Sequence, residues 1–338
     1  MVNNVFGIDL GTCNMKIYCK ASNKILNEKN TIALVNKDQI LAYGDEAYAM
    51  HEKAPEHINV TFPVNSGVIA DMNNLQSMLQ LFMEKNMKGK MRGAEFIVAV
   101  PTDITDVEKR AFFEIFYRSK LKPKSVLLCE KPIADAVGLG LDVNEPTGIM
   151  IVDLGAATTE ISVISLGGLV LTDLLHFGGN RIDESIITFV KRKYNLVIGQ
   201  KTAQSMKEKL GSGIPGNTET MMIVGRDVVS GLPIELEISG EVVYEAIKDN
   251  LNTICNSIKM ILEKTPPELA KDIIRSGIYI TGGGSQIHNL DQLFKQITGI
   301  EINTCEEPEE CVVRGLVKIV SDSKFKHLAF SMKSKILK

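Results

Sequence analysis

The chain has 338 residues, 44% of them hydrophobic and 23% charged, with a formal net charge of -3. That length allows two domain-sized units with cores of their own, and the composition excludes disorder as the default. The charge excludes a protein that coats nucleic acid through bulk positive potential. The six cysteines, Cys13, Cys19, Cys129, Cys255, Cys305 and Cys311, form no CxxC pair and have no histidine partners at zinc-finger spacing. They read as thiols of a reducing compartment. The N-terminus has no secretory signal pattern, and no apolar run approaches the roughly 20 residues of a membrane span. The expectation is a cytoplasmic protein.

Short apolar runs and helical patterns then alternate along the chain. VFGIDL (5–10) and MKIYC (15–19) predict two strands, followed by a polar, loop-rich stretch at 31–63. EFIVAVP (95–101) predicts a strand, 106–119 a helix, SVLLC (125–129) a strand and 130–141 a helix. IMIVDL (149–154), EISVISL (160–166) and GLVLTDLL (168–175) predict three more strands, and 180–194 a helix. Residues 195–240 read as a helix followed by a β-rich insert, 241–262 as the longest helix, and SGIYITGG (276–283) as a strand. This is an α/β chain with mixed sheets in two similar halves. The expected division is 1–144 plus 318–338 as one domain, carrying 31–63 as a small inserted subdomain. The second domain is 145–317, carrying 190–240 in the same way.

One phrase is written twice. VFGIDLGTCNMKIYC has an apolar run ending in Asp9, then Gly11 and Thr12, then a second apolar run; IMIVDLGAATTEISVI repeats it with Asp153, Gly155, Thr158 and Thr159. A strand, an acid, a glycine, small hydroxyl residues and another strand describe a hairpin with its acid at the tip. Glycine permits the tight turn, successive N–H groups in such a turn bind anions, and the acid suits a hydrated divalent cation held against phosphates. A third stretch, IYITGGGSQIHNL (278–290), is a strand, three glycines and a helix start, bare backbone that lets a purine or phosphate approach. Neither GxxxxGK[ST] nor GxGxxG is present, so the two commoner phosphate-binding designs are excluded.

These phrases, with VAVPTDITDVEKRAF, EKPIADAVGLGLDVNEPTGIMIVDLGAATTEISVISLGG, KEKLGSG and PEECVVRGLVKI, resemble the actin, sugar kinase and DnaK-type chaperone superfamily. Within it the resemblance is to the MreB family of bacterial actins, over nearly the whole chain. It implies an actin-like fold: two similar mixed-sheet α/β domains around a nucleotide cleft, each with a small inserted subdomain. It implies that Gly11, Thr12, Cys13 and Asn14 contact the β- and γ-phosphates, joined by Gly155, Ala156, Ala157 and Thr158 from the second hairpin. Asp9 and Asp153 would lie near Mg2+. KEKLGSG resembles the family's ribose and adenine segment, which points to Lys207 and Glu208, and Gly282, Gly283 and Gly284 would flank the nucleotide. ATP or GTP is the expected nucleotide.

Two departures from the family pattern stand out. The second hairpin reads DLGAATTE where the family usually has DxGGGTTE, so Ala156 and Ala157 restrict positive φ where glycines would not. The helix linking the halves opens with CEKP where the family usually has EEP. Lys131 therefore occupies the position of the glutamate that polarises the attacking water. An ammonium has no lone pair to accept a proton at neutral pH, and Glu130 points about 100° away on a helix. Weak hydrolysis follows, with Thr158 left to position water. Lys16, on the exit strand of the first hairpin, reads either as a phosphate ligand or as a solvent-facing lysine.

The resemblance also implies filaments of the protein with itself or with paralogous subunits, and a peripheral place at the inner face of the cell membrane. Two segments are candidates for membrane contact. MEKNMKGKMRG (83–93) sets Met83, Met87 and Met91 four apart among basic residues, a membrane loop or a helix end packing on the core. SKFKHLAFSMKSKILK (323–338) has the spacing of a basic amphipathic helix, which an anionic bilayer attracts or which docks on its own domain. The rival readings are a small-molecule kinase of the same superfamily, which needs an acceptor pocket, and a DnaK-like chaperone, for whose peptide-binding domain 338 residues leave no room.

Overall fold

The computed structural model describes residues 4–36, 39–86 and 93–332. The chain divides into two compact units, Met1–Thr147 with Ile164–Leu174 and Glu309–Lys338, and Gly148–Val163 with Leu175–Pro308.

In the first unit β1 (Val5–Leu10) and β2 (Asn14–Cys19) form a hairpin that β3 (Lys24–Lys29) extends. The stretch 31–63 is more ordered than its polar composition suggests. It holds β4 (Ile32–Val35), β5 (Gln39–Tyr43), α1 (Asp45–Met50) and β6 (Ile58–Thr61), a separate three-stranded sheet with a small apolar centre at Ala33, Ala42 and Ala47. The short β7 (Val64–Asn65) and β8 (Val68–Ile69) lead into α2 (Met72–Asn86). β9 (Glu95–Val100), α3 (Asp106–Tyr117), β10 (Ser125–Glu130) and α4 (Lys131–Gly138) follow. α3 starts where it does because Thr105 and Glu108 close a reciprocal capping box.

The main sheet has the order β10-β9-β1-β2-β3, with β9 parallel to β1 and β10 and with β2 antiparallel to both its neighbours. β1 is buried at every position, as an apolar run covered on both faces should be. Phe6, Phe96 and Phe116 stack in series at 5.3 Å between ring centroids, tying β1, β9 and α3 into one core.

The second sheet is built from β11 (Ile149–Leu154), β12 (Thr159–Ser165) and β13 (Gly168–Leu175), although the division counts 164–174 with the first unit; α5 (Gly179–Tyr194), β14 (Leu196–Val197) and α6 (Gln200–Leu210) follow in the second unit. β15 (Thr220–Asp227), β16 (Pro233–Ser239), α7 (Gly240–Lys264), α8 (Pro267–Ser276), β17 (Ile278–Thr281), α9 (Leu290–Thr298) and β18 (Ile302–Asn303) complete it. Its sheet order, β18-β17-β11-β12-β13, repeats the first unit's order element for element. The doubled phrase in the sequence is therefore the central strand and turn of two like sheets. A three-stranded sheet, β14-β15-β16, is the insert of this unit.

α10 (Cys311–Ser321) returns to the first unit, which the chain re-enters at Glu309 rather than at the expected 318. The reason is its crossing with α4. A Cβ on Gly138 would lie 2.0 Å from Cys311 O, and one on Gly315 would lie 1.8 Å from Ala134 O. The two backbones meet with no room for a side chain, as small residues at a helix crossing allow.

The described part of the tail, to residue 332, is not the amphipathic helix that its spacing suggested. Residues Lys326–Leu328 make one 3-10 turn, and Phe330 then pairs with Leu128 through two backbone hydrogen bonds of 2.8 and 2.9 Å, adding to the edge at β10. Leu328 and Met332 are buried, so this segment docks on its own unit. Met83 is likewise buried on the core side of α2, while Met87 and Met91 lie outside the described residues. Among the described residues no helix is long and apolar enough to cross a membrane.

Gly315→Ala is expected to cost about 2 kcal/mol or more of stability by forcing α4 and α10 apart, read by urea unfolding. Gly168→Ala is the control, because a Cβ there meets only Ser165 O at 3.9 Å, and it should change stability by less than about 0.5 kcal/mol.

Candidate functional site

In the first unit the apolar β1 ends at Asp9, and the chain turns through 11–13 into β2. The ladder pairs Asp9 with Lys16, and Lys16 Nζ lies 3.8 Å from Asp9 Oδ2 with both side chains nearly buried. Lys16 is therefore not the solvent-facing lysine allowed by its strand position. The turn is anchored from behind. Asn30 donates its backbone N–H to Cys13 O and its Nδ2–H to Gly11 O, both at 2.8 Å. Gly67 N–H donates to Thr12 Oγ1 at 3.3 Å, and Lys29 Nζ donates to Asn14 Oδ1 at 3.1 Å and reaches Cys13 Sγ at 3.3 Å. A Cβ on Gly11 would lie 2.8 Å from Asn14 O, which is why this position takes glycine. Anchoring the acceptors of a tight turn suits one that presents its donors to an anion.

Lys131 is the first residue of α4, with Glu130 at the N-cap, Pro132 next and no acidic residue in the first turn. Glu130 Oε1 lies 3.6 Å from Lys109 Nζ. Both line a cavity of about 280 Å³ that Thr102, Asp103 and Thr172 also border. The carboxylate at 130 is thus held on the α3 side, and position 131 carries an ammonium.

In the second unit four sequence phrases close into a ring of direct contacts. The turn at 155–158 is pinned by Gly155 N–H donating to Thr158 O at 2.8 Å. A Cβ on Gly155 would lie 2.9 Å from Thr158 O, almost the value found for Gly11 in the other hairpin. The first turn of α5 backs onto it: Gly179 N–H donates to Gly155 O at 3.0 Å and Asn180 N–H to Ala156 O at 2.7 Å. Lys207, on α6, pairs with Asp183 at 2.8 Å and donates to Gly179 O at 3.1 Å. The end of KEKLGSG joins the glycine-rich stretch through Gly213 N–H donating to His288 O at 2.7 Å. Gly282 closes the ring against the end of β11. Its φ is +78°, and a Cβ there would lie 2.2 Å from Asp153 Oδ1 and 2.5 Å from Leu154 O.

Three sequence expectations change here. Ala156 and Ala157 adopt no positive φ, so the loss of two glycines leaves no backbone strain in the second turn. The three glycines lead into a 3-10 turn, Gly283–Gln286, and α9 begins only at Leu290. Lys207 is engaged by protein acceptors, while Glu208 is exposed and accepts from Gln204 Nε2 at 2.7 Å.

Burial raises the Asp183 carboxyl from 3.8 to about 6, against the opposing pull of Lys207. The other charged groups around it are Glu208 on α6 and Glu184 on its own helix; α7 meets α5 through the neutral Asn250, which donates to Ser185 Oγ at 2.7 Å. Burial also pushes the Cys255 thiol to about 11 and the Cys129 thiol higher still, which leaves both unreactive. Among the described residues no group of three or more His, Cys, Asp or Glu side chains is placed to hold a metal ion. Asp9 in the first unit and Asp153 in the second are each nearly buried at a strand end, and each by itself is the kind of acid that suits a hydrated divalent cation. Within the second unit, Gly282 and the tight turn at Gly155 leave bare backbone beside the end of β11, a surface of the kind a phosphate or a flat base can approach.

The family model described as MreB/Mbl protein matches residues 3–327. The chain is 39% identical to the cell shape-determining protein Mbl of Bacillus subtilis over 312 residues, 91% of this chain and 93% of that one. It is 38% identical to the cell shape-determining protein MreB of Escherichia coli over 324 residues, 93% of this chain and 92% of that one. The crystal structure of MreB5 of Spiroplasma citri bound to AMPPNP superposes with a TM-score of 0.91 at 33% identity, covering 97% of this chain and 98% of that one. The MamK double helical filament, at 21% identity and a TM-score of 0.80 over 95% of this chain and 99% of that one, shares the fold.

Asp183 holds its proton up to about pH 6 in the folded chain and releases it near 3.8 in the unfolded one. Its contribution to stability is therefore fully present below pH 3.8 and is lost as the pH rises through about 6. Urea unfolding from pH 4 to 7 should show the stability of the natural protein falling, relative to Asp183→Asn, across that window; a pH-independent difference would refute the shift. Gly282→Ala should cost about 1–3 kcal/mol through its positive φ alone, with a further loss from displacing Asp153.

Proposed function

The chain belongs to the MreB/Mbl family, and on that premise we propose that it is a nucleotide-dependent, filament-forming protein of the bacterial cytoskeleton, acting in cell shape or as an internal scaffold. The observation that carries this reading is the repeated hairpin: a buried acid at the end of a central strand, then a turn so tight that only glycine fits, once in each unit. The small-molecule kinase reading is not favoured by this family membership. The actin-like architecture of the family, with two like α/β units, agrees with the repeated sheet order.

In this proposal Gly11, Thr12, Cys13 and Asn14, and Gly155, Ala156, Ala157 and Thr158, hold the phosphates of ATP or GTP through turn N–H groups and hydroxyls. Asp9 and Asp153 are the residues that would hold a Mg2+ through its bound water, and the ion would supply charge neutralisation. Gly282, Gly283 and Gly284 leave space beside the nucleotide, and Glu208 faces its sugar and base. MreB5 of Spiroplasma citri, a relative, is bound to AMPPNP in one structure and to ADP in another, which supports a purine nucleotide here.

Hydrolysis is slow because position 131 cannot accept a proton. At neutral pH the Lys131 ammonium lacks the lone pair a general base needs. Glu130, held by Lys109 at 3.6 Å, is not available in its place. The remaining water-positioning group is Thr158, at the end of the second turn. An ammonium at the start of α4 favours an intact triphosphate, since it and the helix N-terminus both attract negative charge. The subunit then works by binding and assembly, alone or with paralogous subunits, at the cytoplasmic face of the cell membrane.

The test is phosphate release from ATP at polymerising concentration, with sedimentation run in parallel. The natural protein should pellet in an ATP-dependent way with little release, and Lys131→Glu should release phosphate about 100-fold faster, the scale a general base supplies. Equal rates would remove position 131 from the mechanism, and absence of ATP-dependent pelleting would overturn the filament proposal.

A further inference from the structure

The resemblance assigns Lys207 to the ribose and adenine of the nucleotide, but its head group has another use. Lys207 Nζ lies 2.8 Å from Asp183 Oδ1 and donates to Gly179 O at 3.1 Å, in a pair whose side chains are 13% and 3% exposed. An ammonium has three donors; one is directed at Gly179 O, and the charge as a whole is paired with the Asp183 carboxylate. Gly179 has no side chain to intervene, since a Cβ there would lie 3.0 Å from Nζ. The same residue and its neighbour carry the contact onward, because Gly179 N–H donates to Gly155 O and Asn180 N–H to Ala156 O. Withdrawing Lys207 to reach a ligand would leave Asp183 buried without its cation, a costly state.

We infer that Lys207 is a positioning residue: with Asp183 it forms a buried strut between α6 and the first turn of α5 that holds the 155–158 turn in its phosphate-binding shape. This rests on the nucleotide reading above and refines it, moving Lys207 from the sugar and base to the support of the phosphates. The strut acts through α5, because the acceptors that α5 engages, Gly155 O and Ala156 O, belong to the turn itself. Asp183 and Lys207 therefore behave as one unit toward a phosphate-bearing ligand. A ligand that lacks phosphates does not sense them.

The experiment compares the full-length natural protein with Asp183→Asn, Lys207→Met and the double variant, using ATP and adenosine as probes. Asp183→Asn keeps shape and volume and guards against a misfolded Lys207→Met. ATP binding should weaken about tenfold in each single variant and no further in the double one, because the two residues form one unit. Adenosine binding should not change. In the absence of nucleotide, hydrogen exchange at the Gly179 and Asn180 amides should quicken in each variant. A loss of adenosine affinity equal to that of ATP would overturn the inference in favour of direct contact. So would natural ATP affinity in Asp183→Asn, or unchanged amide exchange. If the natural protein binds no ATP, the nucleotide reading fails, and the exchange of those two amides alone decides whether the strut exists.

Discussion

A carboxylate at the end of a buried central strand is the constraint around which both units are arranged. Removing such a group from water is costly unless it is paired or meets a cation; Asp9 is 5% exposed and has Lys16 at 3.8 Å, and Asp153 is 4% exposed. Each stands at the carboxyl end of a strand with a parallel neighbour, β9 for β1 and β17 for β11, where open α/β sheets bind their ligands. The apolar residues before each acid are buried on both faces, so each strand delivers its acid to the rim without freedom to slip. The turn beyond has one solution, since a Cβ on Gly11 or Gly155 would strike a carbonyl at 2.8 or 2.9 Å. Strand, acid and glycine are one device used twice, and the matching sheet orders follow from its duplication.

Much of this was legible because it is local. A wholly apolar run, an acid and a glycine lie consecutively, so both hairpins and the strands at 95–101 and 125–129 could be read from the chain. Helix α3 was placed by periodicity, and its start was also written in Thr105 and Glu108, a capping signal the periodicity alone passed over. What escaped depends on partners distant in sequence. α10 belongs to the first unit because Gly315 fits against Ala134 O, and nothing near 315 names that partner. The tail has helical spacing, but the open edge at Leu128 offers backbone hydrogen bonds that a helix would forgo. The expectation for Ala156 and Ala157 assumed a left-handed turn, and neither residue has a positive φ, so both methyl groups are accommodated.

The lysines show the same division between local and distant information. From the sequence Lys16 reads as a phosphate ligand or a solvent-facing lysine, and the resemblance gives Lys207 to the ribose and adenine. In the folded chain each faces a carboxylate, Asp9 across a two-stranded ladder and Asp183 across two helices. The first pairing is a matter of register, the second of helix packing, and neither is expressed by a motif. Lys131 differs in kind, since its meaning comes from what the position lacks rather than from what it touches.

These pairings bear on how phosphates are recognised. Nucleotide sites of the P-loop kind bring a lysine to the phosphates as a point charge. Here Lys16 and Lys207 are matched by acids of the same chain, so their charges support the turns and are largely neutralised before any anion arrives. In the proposed site recognition then falls to turn N–H groups and hydroxyls, which are fixed in direction and cannot follow a phosphate that moves away. A site of that kind depends on the shape of its turns more than on its net charge. That explains why so many contacts behind each turn, from Asn30 in one unit and from α5 in the other, serve to hold backbone carbonyls in place.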